Sequence, residues 1–138
     1  MTEISKQFKI MLIVNIVISL AYAIPYLFLT SLWLNLTEHT ATSPFYSQAF
    51  GVALFSISVW SLRAILQKKE WEAVSYFVEF IFIFLFGIII YLLLEMWFVL
   101  DKVATPIAWI NNIISIAVAG SVFVANIIFY FLETAKHK

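Results

Sequence analysis

Four long apolar runs dominate the chain, and short polar stretches separate them. The runs cover about residues 8–34, 44–66, 71–98 and 106–132. A helix needs about 20 mostly apolar residues to cross the hydrocarbon core of a bilayer, and each run is long enough. The pattern therefore predicts an all-α integral membrane protein with four transmembrane helices in a single domain, residues 1–138.

Short links between the runs predict how neighbouring helices are arranged. These links are "NLTEHTATS" at 35–43, "QKKE" at 67–70 and "DKVAT" at 101–105. Because short links keep successive helices side by side in opposite directions, the sequence predicts an antiparallel up-down bundle. We also expect the first helix to kink at Pro25, since proline lacks the backbone N–H that a helix interior needs.

Basic residues predict the orientation of this bundle. Cytoplasmic loops of membrane proteins carry an excess of Lys and Arg. Of the eight Lys and Arg residues, only Lys102 falls on the side of the first and third links. The other seven fall on the side of the two termini: Lys6, Lys9, Arg63, Lys68, Lys69, Lys136 and Lys138. We therefore predict a protein of the cell membrane with both termini in the cytoplasm.

A cleaved signal peptide is an alternative explanation of the first run. Lys6 and Lys9 precede an apolar stretch that ends in the small-residue pattern "AYA" at 21–23. The apolar run continues well past Ala23, which favours a membrane anchor that is also the first span.

Composition narrows the classes of function. The chain is 64% hydrophobic and 12% charged, with a formal net charge of zero, which argues against a nucleic-acid partner. It has no cysteine, which excludes disulfides and thiolate metal sites. Its two histidines, His39 and His137, fall outside the apolar runs, so we expect no catalytic residue, metal site or cofactor in the helical core.

Polar and small residues align on one face of each predicted helix at 100° per residue. In the first two helices the aligned residues are Asn15, Ser19, Tyr22, Tyr26 and Thr30, and then Ala49, Ala53, Ser56, Trp60, Arg63 and Gln67. In the last two they are Glu72, Ser75, Tyr76 and Glu79, and then Ala108, Asn112, Ser115, Ala119, Asn126 and Tyr130. Since lipid cannot replace lost hydrogen bonds, we expect all four faces to turn inward.

Depth along the helices groups the candidate ligand- or ion-binding residues into two layers. Asn15, Glu79 and Asn126 lie roughly 9 to 12 Å from the predicted cytoplasmic helix ends, at 1.5 Å per residue. With the long side chain of Arg63 they form the first predicted layer. The second layer, towards the other side of the membrane, contains Tyr26, Thr30 and Asn112, with Asn111 adjacent. The residues placed to connect the two layers are Tyr22, Ser56 and Ser115.

Glu79 is the central residue of this prediction. A carboxylate at mid-helix costs about 2.5 to 3.5 kcal/mol to insert, so it needs a partner, water or a proton. The "QKKE" turn makes Arg63 the best candidate partner. Three roles stay open for Glu79: an Arg63 ion pair that fixes the helix register, a proton or cation site, and an anchor for an amphipathic ligand.

Small residues also recur on a second face of the fourth helix, at Ala117, Ser121 and Ala125. This spacing is typical of close helix association, and it fits either contact with another subunit or packing within the chain.

The sequence favours a non-enzymatic membrane protein. We expect a homo-oligomer or a subunit of a larger membrane complex, with lipid or another apolar ligand in a partly polar interior. One alternative is a proton- or cation-coupled transporter or channel subunit that uses Glu79. A second alternative is an intramembrane enzyme in which Glu79 is the acid or base.

Overall fold

A computed structural model describes residues 3–38, 44–67, 70–100 and 105–138 of the chain. The structure is 91% helical. Its helices are α1 (Lys6–Phe28), α2 (Thr30–Leu36), α3 (Pro44–Leu66), α4 (Trp71–Glu95), a π-helical turn (Met96–Leu100) that continues α4, and α5 (Pro106–Lys136). Four of them, α1, α3, α4 and α5, are long and apolar enough to cross a membrane. The predicted set of four apolar spans in an all-helical protein is confirmed.

The first apolar run is divided between α1 and α2. The break is at Leu29, one turn beyond Pro25, which lies inside α1. The N–H of Leu29 donates to the Pro25 carbonyl at 3.1 Å, and the Thr30 hydroxyl donates to the Tyr26 carbonyl at 2.5 Å. These two bonds satisfy carbonyls that would otherwise be left open where the helix is interrupted.

Helix α3 packs closely against α1. Small residues on the α3 face, Ser47, Gly51, Ser58 and Ser61, are buried. The Ser58 hydroxyl bonds to the Leu54 carbonyl of its own helix at 3.2 Å and reaches the Ile16 carbonyl of α1 at 3.5 Å. Small side chains let two helix backbones approach closely, which explains this pairing.

Helix α4 packs mainly against α5. It buries a row of branched apolar residues, Val74, Val78, Ile81 and Leu85. The two valines join a core cluster with Phe8 and Leu12 of α1. Helix α1 therefore contacts both α3 and the α4–α5 pair, so the core lies around α1.

The two ends of the chain meet at the start of α4. An isolated antiparallel bridge joins Glu3 to Glu70. The buried ring of Trp71 contacts the rings of Phe8 at 5.0 Å, Tyr130 at 5.4 Å and His137 at 5.9 Å between centroids. These contacts tie the N-terminal segment, α4 and the end of α5 into one cluster.

Two of the four predicted polar faces are oriented as expected. On α1, Asn15, Ser19 and Thr30 are buried. On α5, Asn112 and Asn126 are buried. The small-residue pattern on the other side of α5 is different: Ala117 and Ser121 are exposed and Ala125 is half-buried, so this face lies on the surface of the four-helix unit.

The prediction that the polar faces of α3 and α4 turn inward is wrong. All the α3 positions on that face are exposed, except Ala53 and Trp60, which are half-buried. On α4, Glu72, Tyr76 and Glu79 are exposed. The reason is packing: α3 uses its serines and glycine against α1, and α4 uses its branched apolar residues, which leaves the more polar faces outside.

Three of the basic residues behind the predicted orientation, and one histidine, lie outside the described residues. Lys68, Lys69 and Lys102 lie there, and so does His39.

Candidate functional site

A pair of buried asparagines joins α1 to α5. The Asn15 Nδ2 donates to Asn126 Oδ1 at 2.9 Å, and the Asn126 Nδ2 donates to Asn15 Oδ1, also at 2.9 Å. Asn126 Nδ2 also donates to the Val122 carbonyl at 2.8 Å. Asn15 is 2% exposed and Asn126 0%, so the amides satisfy each other away from solvent. The sequence predicted that these two residues share a layer, and the structure brings them together.

Glu79 lies beside this pair but on the outer surface. Its Oε1 accepts a hydrogen bond from the Tyr130 hydroxyl of α5 at 2.5 Å. Tyr130 follows Asn126 by one helical turn, so the carboxylate sits near the asparagine layer without entering it. The partner is a neutral phenol, and the carboxylate remains exposed.

Arg63 does not join the predicted layer. Its Nε donates to Gln67 Oε1, one turn further along α3, at 3.0 Å, and the side chain is exposed. The predicted pair between Arg63 and Glu79 is not formed within the described residues, whose ion pairs are elsewhere. The two charges lie on different helices that pack against different partners, α1 for α3 and α5 for α4.

The second predicted layer is distributed over separate contacts. Asn112 is buried and donates to the Leu92 carbonyl of α4 at 3.1 Å. Tyr26 packs its ring edge-on against Phe50 of α3, with centroids 5.4 Å apart. Tyr22 and Ser115 are half-buried. Asn112 thus fastens α5 to α4, while Tyr26 fastens α1 to α3.

A buried carboxylate that the sequence analysis missed lies at the end of α5. Glu133 is only 1% exposed. It accepts from the Ser5 backbone N–H at 2.6 Å and the Ser5 hydroxyl at 2.5 Å, and His137 Nε2 lies 3.2 Å away. One signal in the sequence indicated this position: Glu133 follows Asn126 by seven residues, which places both on the same face of a helix. In the structure that face of α5 is buried.

An apolar groove separates α3 from α4. We call it the aromatic groove; its lining consists of Ala53, Ser56, Ile57 and Trp60 of α3 and Phe77, Phe80 and Phe84 of α4. Its volume is about 330 Å³. The Trp60 and Phe77 rings stack across it with centroids 4.2 Å apart. The Ser56 hydroxyl is already bonded to the Val52 carbonyl at 2.9 Å, so the lining presents an almost wholly apolar surface.

Sequence analysis named residues on the α3 side of the groove and did not identify the α4 side. Ala53 and Trp60 recur at an interval of seven on α3, and Phe77 and Phe84 do so on α4. The projection assigned the α3 residues to a polar interior. The projection does not show that a small residue beside aromatic residues leaves a space between two helices. In the structure, the neighbouring aromatic rings line that space.

Within the described residues, no group of three or more acidic or histidine side chains could hold a metal ion. Comparison of the chain with protein-family models, curated proteins and solved structures gives no match.

Proposed function

We propose that this chain is a non-enzymatic integral membrane protein that holds the hydrocarbon chain of a lipid in the aromatic groove between α3 and α4. Its four long helices cross the membrane as an antiparallel up-down bundle, with both termini in the cytoplasm. It works as a subunit of a membrane assembly.

The groove is the observation that carries this proposal. Its volume of about 330 Å³ is at the lower end of the range for small-molecule pockets. Such pockets are lined mainly by hydrophobic and aromatic side chains, as this one is. It also lies between two candidate spans, so a ligand would enter directly from the bilayer.

Contacts between the helices support the proposed topology. Ser5 at the start of α1 bonds Glu133 near the end of α5, whereas Asn112 near the start of α5 bonds Leu92 near the end of α4. These contacts fit helices that alternate in direction. The excess of basic residues near both termini then favours a cytoplasmic location for the ends.

Photochemical cross-linking from lipid tests the proposed ligand. The protein would be reconstituted into phosphatidylcholine vesicles that contain phosphatidylcholine with a diazirine on one acyl chain, and adducts would be mapped by mass spectrometry. We expect adducts concentrated on the groove residues, above all on Trp60 and Phe77. Ala53→Trp fills the groove and should strongly reduce these adducts.

The matched control is Ala21→Trp, which adds the same ring at an exposed position of α1 outside the groove. It should leave the groove adducts unchanged. Adducts spread evenly over all the exposed helix faces, and insensitive to Ala53→Trp, would contradict the proposal.

A second candidate function rests on Glu79. Its only observed side-chain partner within the described residues is the neutral hydroxyl of Tyr130, which leaves the carboxylate able to take up a proton or cation. For such a transporter, vesicles with a pH gradient should show proton-coupled flux that Glu79→Gln abolishes. Equal flux in the two proteins would remove this candidate.

A further inference from the structure

Two opposite charges are exposed on different surfaces of the same four-helix unit, each within a candidate membrane span. Glu79 lies on α4 beside α5, and Arg63 lies on α3. We propose that copies of this chain assemble through an ion pair between Glu79 of one copy and Arg63 of the next. The inference rests on the proposed membrane-spanning function and names the partner in its assembly.

The position of Glu79 is what requires a partner. Acidic side chains inside membrane spans almost always face a bundle interior or a water-filled cavity, because lipid solvates them poorly. In the isolated copy, Glu79 faces outward and has a phenol as its hydrogen-bond partner. A carboxylate has two oxygens and room for further donors. A neighbouring protein surface with a positive charge would meet this need.

Arg63 offers the matching charge. Its observed bond to Gln67 uses only Nε, and the two terminal nitrogens of a guanidinium supply four more N–H donors. These donors can bind both oxygens of a carboxylate at once. Among the described residues of one copy, Arg63 and Glu79 are not paired with each other, and neither forms an ion pair. Both charges can therefore bind a second copy.

Helix geometry keeps the two charges at compatible depths. Trp60 and Phe77 stack and therefore mark one level in the membrane. Arg63 is three residues beyond Trp60, and Glu79 is two residues beyond Phe77, in opposite directions. At 1.5 Å per residue the Cα atoms differ in depth by roughly 7 to 8 Å, which an extended arginine and a glutamate side chain can bridge between two parallel copies.

Such an interface joins two different patches of the chain. Contacts of this kind are heterologous and form a ring when the rotation between copies closes. Each copy would then use Glu79 on one side and Arg63 on the other.

Charge reversal in mixed copies tests the pair. The chain has no cysteine, so Lys138→Cys provides one labelling site for fluorescent dyes. Energy transfer between donor- and acceptor-labelled copies would be measured in phosphatidylcholine vesicles over a range of lipid-to-protein ratios. We expect Glu79→Arg alone and Arg63→Glu alone to associate about tenfold more weakly than the unaltered chain, or worse.

A mixture of the two reversed proteins should associate much more strongly than either reversed protein alone. At one contact, the arginine introduced by Glu79→Arg meets the glutamate introduced by Arg63→Glu. At the other contact, the unaltered Arg63 of the first protein meets the unaltered Glu79 of the second, so each contact has opposite charges.

Because both positions are exposed, reversal should leave the helix packing intact. The neutral variants Glu79→Gln and Arg63→Gln should also weaken association. Glu72→Arg, which reverses another exposed charge of α4, is the control and should have no effect.

Two results would overturn this inference: no energy transfer for the unaltered chain, or reversed proteins that fail to associate when mixed. The lipid cross-linking experiment on the same samples separates the two proposals. Groove adducts without association contradict only the Glu79–Arg63 interface, whereas association without groove adducts contradicts the proposed lipid site.

Discussion

The asparagine pair shows how polar residues are tolerated inside this apolar chain. Asn15 and Asn126 exchange two hydrogen bonds of 2.9 Å and need no water. Interhelical hydrogen bonds in membranes contribute about 0.6 kcal/mol on average and up to about 1.7 kcal/mol. The pair also fixes the position of α1 along α5, since sliding either helix by one turn would separate the amides.

We predict that Asn15→Leu lowers the free energy of unfolding by about 1 kcal/mol, because it leaves the Asn126 amide buried with an unfilled acceptor. The double variant Asn15→Leu/Asn126→Leu should cost less than the sum of the two single variants. Unfolding in mixed micelles with increasing denaturing detergent would measure this. Strict additivity of the two losses would show that the amides do not interact.

At the residue scale, the sequence predicted some partners and missed others for physical reasons. The depth of Asn15 and Asn126 follows from helix length, so their meeting was predictable. The bond between Glu79 and Tyr130 was not, because the positive charge of Arg63 made that residue the expected partner of the carboxylate. Glu133 was missed because it lies at the end of an apolar run, where a carboxylate is normally solvated.

At the scale of the helices, the packing of α1 against α3 depends on Gly51 of α3. A Cβ atom at Gly51 would lie 2.9 Å from Leu27 Cγ and 3.2 Å from the Leu27 backbone nitrogen. Both distances are shorter than ordinary van der Waals contact. Gly51 thus marks a close approach of α1 and α3, and a larger residue must push the two helices apart.

We predict that Gly51→Ala destabilises the protein by about 1 to 3 kcal/mol through overpacking. Gly87 in α4 and Gly120 in α5 provide matched controls, since a Cβ at either position meets nothing within 4 Å. Gly87→Ala and Gly120→Ala should be neutral or slightly stabilising, because alanine favours the helix over the unfolded chain. Equal effects at all three glycines in thermal unfolding would contradict the proposed close contact.

The existence of the helices was more predictable than the direction of their faces. Hydropathy sets the limits of α3 at 44–66 directly, and the structure has the same limits. The face of α3 is ambiguous because it carries two small or polar rows, one with Gly51 and one with Ala53. Only packing against α1 decides between them, and sequence spacing does not contain that contact.

The whole molecule is organised so that both ends of the chain meet. Ser5 and Glu133 are 128 positions apart in sequence and are joined by two hydrogen bonds. Trp71 adds the start of α4 to the same cluster through Phe8 and His137. The proposed topology therefore has one tightly connected end, which carries most of the basic residues.

We predict that cysteines introduced one at a time will show which side of the membrane each end of the bundle faces. Asn35→Cys at the end of α2 and Gln67→Cys after α3 are both at exposed positions. In intact cells, a membrane-impermeant maleimide should label Asn35→Cys and not Gln67→Cys, and permeabilisation should make both reactive. The reverse pattern would invert the orientation, and equal labelling in intact cells would contradict a fixed topology.

The most direct test of the proposed lipid site is an experimental structure of the protein in a lipid nanodisc. We predict elongated hydrocarbon density in the aromatic groove, alongside the stacked rings of Trp60 and Phe77 and in contact with Ala53. A closed groove, in which α3 and α4 pack directly against each other without intervening density, would contradict the proposed function.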